Sequence, residues 1–108
     1  MQGKRAFPRL KRRVSCDVRV DGTRYVGVVL DMSPGGFFVQ TSASPAVGST
    51  LDVTLRQGSS PPVELRARVA NSRQVPRRLA SVARGGVGCS VTAPPEAYYQ
   101  LLGSLSGR

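Results

Sequence analysis

Between Val14 and Thr92 apolar and polar residues alternate with a period of two, in short runs separated by clusters of glycine, proline, aspartate and serine. That period cannot lay a continuous apolar stripe on a helix, whereas it gives a β-strand one inner and one outer face. Val14, Cys16, Val18 and Val20 fall on one side of the first run, with Ser15, Asp17 and Arg19 on the other. Asp21-Gly22 is a two-residue hairpin signal. A second strand is expected from Thr23 to Asp31, with Val26, Val28 and Leu30 as its inner row. Ser33-Pro34-Gly35-Gly36 turns the chain again. Further strands are expected over 36–40, 51–56, 63–69 and 85–92. In the fifth, Val63, Leu65, Ala67 and Val69 point inward; in the sixth, Val87, Cys89 and Val91 do. Only the end of the chain changes period. Tyr98, Leu101, Leu102 and Leu105 stand at helical spacing after Pro94-Pro95-Glu96, a short amphipathic helix. Tyr98 is expected in the core and Tyr99 on the helix surface.

Six short strands in 108 residues form one small all-β domain. Closing them into an antiparallel barrel hides the strand edges that an open sheet would expose. The helix, too short to stand alone, is expected to cap one opening of that barrel.

Composition narrows the chemistry. Sixteen basic residues face six acidic ones, a net charge of +10, so a partner recognised by charge should be anionic. There is no histidine, so Ser-His-Asp and Cys-His arrangements and histidine-ligated metal sites cannot be assembled. Cys16 and Cys89 have no CxxC partner, which leaves no zinc motif and no disulfide framework. Both read as small core residues in a reducing cytoplasm. No apolar run approaches the roughly twenty residues of a membrane span. No pair of titratable groups suggests acid–base catalysis, so no enzyme and no cofactor are expected.

The charge is concentrated outside the strands. Residues 1–13, MQGKRAFPRLKRR, carry six cations and no acid, and read as a flexible basic arm ahead of the barrel at 14–108. Residues 73–84 add four arginines in what reads as a long loop. Gly86-x-Gly88 opens no helix and is not a phosphate loop. Three Arg-x-x-x-Arg spacings occur (Arg5/Arg9, Arg9/Arg13 and Arg73/Arg77), so spacing alone selects none of them. Asp31-Met32-Ser33-Pro34-Gly35-Gly36 is more specific, as Asp-x-Ser-x-x-Gly. By itself it is either an ordinary turn closed by its own side chains or part of a binding site.

An Arg-x-x-x-Arg ahead of the first strand, followed by Asp-x-Ser-x-x-Gly at the second turn, resembles the PilZ domain family. The likeness extends to Gly36-Phe37-Phe38-Val39, Val47-Gly48-Ser49-Thr50-Leu51 and Gly86-Val87-Gly88-Cys89, roughly residues 4 to 105. It implies a six-stranded barrel, a receptor for cyclic di-GMP rather than an enzyme, and a ligand site of Arg5, Arg9, Asp31, Ser33 and Gly36. The family's Arg-x-x-Pro-Arg phrasing selects Arg5 and Arg9, with Arg12 and Arg13 adding charge. The chemistry is consistent with this. Guanidinium matches phosphate and guanine O6/N7 in bidentate fashion, and Asp31 can accept from guanine N1–H and N2–H. Ser33 can donate to a phosphate or sugar oxygen, and Gly36 leaves room for close approach. Such a domain would fold its arm over the ligand and signal to a downstream protein partner in motility, exopolysaccharide or virulence control. Two other readings remain. One is a basic barrel binding nucleic acid non-specifically, although its six aromatics form no evident stacking platform. The other is a PilZ-type adaptor that binds proteins but not the dinucleotide.

Overall fold

A computed structural model describes residues 13–73 and 85–106. Arg5, Arg9 and the rest of the expected arm before Arg13 lie outside the described residues, as do 74–84 of the expected basic loop. The strands are β1 (Val14–Val20), β2 (Thr23–Ser33), β3 (Gly36–Thr41), β4 (Thr50–Arg56), β5 (Val63–Arg73) and β6 (Gly86–Val91). The helix α1 spans Glu96–Ser106. All neighbouring strands are antiparallel, in the order β1-β2-β3-β6-β5-β4, and β4 pairs back onto β1 to close a barrel. β5 is longer than its alternation suggested, so Arg73 ends a strand instead of starting a loop.

The Asp21-Gly22 turn sets the register of the first hairpin. Both residues take positive φ, 50° and 84°, the geometry of a type I′ turn that matches strand twist. Val20 then faces Thr23, Val18 faces Tyr25, Cys16 faces Gly27 and Val14 faces Val29. Cross-strand partners share a face. The inner row of β2 is therefore Tyr25, Gly27 and Val29, not Val26, Val28 and Leu30 as the hydropathy pattern suggested. Val26 is 76% exposed on the outer wall, and Val28 and Leu30 are half-buried there. The run Val26-Gly-Val-Val-Leu30 is apolar on both parities, so turn geometry decided what composition could not.

The core is the inner faces of all six strands together with Tyr98, Leu101, Leu102 and Leu105 of α1. Cys16 and Cys89 are free and belong to it. Burial, then the neighbouring Asp17 charge, pushes the Cys16 thiol up to about 12; burial, then the Cys16 thiol, does the same to Cys89. Neither thiol should react with iodoacetamide in the folded protein at neutral pH, and both should react in denaturant. Rapid labelling of folded protein would contradict this placement. Above the ordinary thiol value of 9.0, unfolded chains lose protons that the folded state retains, so stability should fall as pH rises from there.

The outer wall is laced by arginine. Asp17 sits on the polar face of β1 yet is only 8% exposed, because Arg56 bonds its carboxylate at 2.9 Å and Arg24 approaches at 3.8 Å. Arg19 donates to Thr54 at 3.2 Å and Arg66 pairs with Asp52 at 3.2 Å. These side chains lay their stems along the barrel and neutralise part of its charge locally.

Candidate functional site

The Asp-x-Ser-x-x-Gly residues occupy the hairpin between β2 and β3, and one irregularity aims them. Under strict alternation Asp31 would have the parity of Val29 and would enter the core. A bulge between Val29 and Asp31 shifts the register by one residue. Asp31 consequently pairs with Phe38 on the outer wall, while Met32 pairs with Phe37 and is fully buried. A lone carboxylate inside the barrel would be costly, whereas methionine fills that space without polar atoms. Asp31 and Ser33, two residues apart, thus share the outward face. Ser33 is itself buried at the end of β2, opposite Gly36.

The hairpin is held from behind by the helix. The Tyr98 hydroxyl, with the ring fully buried, donates to the Ser33 carbonyl at 2.7 Å and lies 3.3 Å from the Gly36 carbonyl. One phenol therefore spans both ends of the Pro34-Gly35 turn. The Val91 amide also donates to the Gly35 carbonyl at 3.0 Å, tying the turn to β6. Sequence reasoning placed Tyr98 in the core but missed this bond, because nothing local links residues sixty-five positions apart. Tyr98→Phe keeps the packing and removes a buried hydrogen bond to the turn, a loss of about 0.5–1.5 kcal/mol. Thermal unfolding measures it, and an unchanged midpoint would show that the hydroxyl does not hold the turn.

Gly36 has a structural reason of its own. A Cβ there would overlap the Cys89 carbonyl oxygen and stand 3.1 Å from the Cys89 carbonyl carbon. The close pairing of β3 with β6 therefore demands glycine, whatever the ligand asks of it. The hairpin thus gathers Asp31, Ser33 and Gly36; Arg5 and Arg9 fall outside the described residues.

The sequence matches the PilZ domain family model over residues 3–107, nearly its whole length. The chain belongs to the PilZ domain family. Solved structures agree in fold. The inhibitor of motility MotI/DgrA from Bacillus subtilis superposes with a TM-score of 0.75 at 15% identity, over 94% of this chain and 48% of that one. The PilZ domain of YcgR from Escherichia coli, solved with c-di-GMP, gives 0.73 at 14% identity, over 95% of this chain and 89% of that one. The PilZ domain of CeSA from a cellulose-synthesizing bacterium gives 0.59 at 18% identity, over 94% and 97%. This PilZ chain spans about half the length of MotI/DgrA and 43% of the longer YcgR structure. No curated protein matches it in sequence. Among the described residues no helix is long and apolar enough to cross a membrane, and no cluster of His, Cys, Asp and Glu could hold a metal ion.

Proposed function

We propose that this PilZ domain is a non-enzymatic cyclic di-GMP receptor of the cytoplasm. Its basic arm, residues 1–13, closes over a dinucleotide seated on the β2–β3 hairpin of the barrel. Arg5 and Arg9 bind phosphate and guanine, Asp31 takes the N1–H and N2–H edge of a guanine, and Ser33 and Gly36 complete the turn around it. The ordered arm then presents a new surface to a downstream protein partner in motility or exopolysaccharide control. The observation that carries this reading is the bulge that turns Asp31 out of the core, beside Ser33, in a chain of this family.

Non-specific binding of nucleic acid is the weaker reading. On the barrel wall Arg24, Arg56 and Arg66 are paired with Asp17 and Asp52, so the net charge does not form one open basic track there. Calorimetry of the whole chain with cyclic di-GMP, against cyclic di-AMP and GTP, tests the proposal. Saturable binding of cyclic di-GMP alone, at micromolar affinity or tighter, is expected. Salt-dependent binding of single-stranded DNA without binding of the dinucleotide would overturn it.

A further inference from the structure

On the side of β2 away from the hairpin, three outward residues each of β2, β1 and β4 stand in register as a grid. Arg24 faces Arg19 and Arg19 faces Asp52; Val26 faces Asp17 and Asp17 faces Thr54; Val28 faces Ser15 and Ser15 faces Arg56. Asp17 stands at the centre and is buried there. Arg24 and Arg56 reach it from opposite corners, at 3.8 and 2.9 Å. Arg19, next to it on β1, donates diagonally to Thr54 at 3.2 Å. Asp52 is taken from outside the grid by Arg66 of β5. Three guanidinium groups therefore gather around one carboxylate, and positive charge is left over.

Two features of this grid do nothing for the barrel. Arg19 and Arg24 oppose each other directly across the β1–β2 ladder, and like charges so placed weaken a strand pair. Val26, one step along β2, is 76% exposed, the most exposed large apolar side chain among the described residues, and half-buried Val28 continues it. Both features fit one half of an interface. Valine is stiff at χ1 and the guanidinium groups are already held by Asp17 and Thr54, so docking costs little side-chain freedom. The charge distribution selects the occupant. A net charge of +10 sets a second copy of this chain against the first. The carboxylates of half-exposed Asp52 and exposed Glu64 share the wall, and would repel a phosphate backbone or an anionic bilayer laid flat on it. Separate carboxylates on a protein can each meet a guanidinium and leave Asp52 and Glu64 at the rim.

We propose that this wall docks an acidic protein segment. Its carboxylates meet Arg19, Arg24 and Arg56, and an aliphatic side chain of the same segment covers Val26 and Val28. The surface lies apart from the β2–β3 hairpin and does not depend on the cyclic di-GMP reading. The test titrates the whole isotope-labelled chain with a synthetic amphipathic peptide carrying leucine on one face and glutamate on its flanks. A twin peptide carries lysine for every glutamate. By NMR, the acidic peptide should shift the amides of Arg19, Arg24, Val26, Val28 and Arg56, and the lysine twin should not. Affinity read from those amides should fall about threefold or more in Val26→Ser and in Arg24→Ala. Both side chains are exposed, so the barrel survives either change, and affinity for cyclic di-GMP stays as it was. Shifts confined to the basic arm, an equal response to the lysine twin, or undiminished affinity in both variants would overturn the inference. So would wall amides that move with protein concentration alone, or that answer phosphatidylglycerol vesicles or single-stranded DNA more strongly than the acidic peptide. None of these results touches the hairpin, and a chain that does not bind cyclic di-GMP overturns the receptor reading alone.

Discussion

Alanine at Arg5 or at Arg9 is expected to take cyclic di-GMP binding below what calorimetry detects, with the thermal midpoint unchanged. The size of the effect follows from the ligand's charge. Each charge-assisted contact of guanidinium with phosphate or guanine is worth about 1.5–3 kcal/mol, so one lost side chain costs roughly ten- to a hundredfold. The remaining contacts must also still order the arm, a cost that does not shrink when one of them is removed. A receptor of micromolar affinity therefore drops to about 10–100 μM, too weak for a resolved isotherm at low micromolar protein. The unchanged midpoint matters equally, because the core of the described residues is built from apolar side chains of the strands and α1. Asp31→Ala should behave differently, losing preference for cyclic di-GMP over cyclic di-AMP along with affinity. Full affinity in both arginine variants would move the ligand away from this arm and reopen the choice among the arginine pairs.

The second large effect concerns folding. Gly36→Ala drives a methyl group into the Cys89 carbonyl oxygen, against the backbone of β6, and neither β3 nor β6 can shift without disturbing its ladder. Overpacking of this kind costs about 3 kcal/mol, which for a domain of this size lowers the thermal midpoint by about 10 °C or more. Its neighbour provides the contrast. A Cβ at Gly35 meets nothing within 4 Å, and Gly35→Ala should leave the midpoint within about 2 °C. Thermal unfolding of the two variants side by side decides the matter. Equal midpoints would show that the close approach of β3 to β6 is not what calls for glycine at 36.

The strand count, the closure and the capping helix were legible because period-two runs, turn dipeptides and one helical stripe each carry a local signal. The inner face of β2 was not, since Val26-Gly27-Val28-Val29-Leu30 supplies apolar residues to both faces and only the register set by Asp21-Gly22 separates them. The bulge at Val29/Asp31 left a trace that hydropathy alone does not expose. It is an aspartate at the parity of buried Val29, with methionine next to it. Asp31, Ser33 and Gly36 stood out as a motif. Their support did not, because the Tyr98 hydroxyl and the Cys89 carbonyl come from the far end of the chain. Which arginines meet the hairpin is a question of long-range placement that no spacing along the chain decides.

The pairing of β4 with β1 closes the barrel, so among the described residues it leaves no backbone rim on which another protein's strand could be laid. Recognition by main-chain addition, which is sequence-tolerant and promiscuous, is closed to it. A downstream protein has to read side chains on the wall, the hairpin or the helix instead. Choice of interlocutor can then drift by surface substitution alone, while the barrel and its hairpin stay as they are.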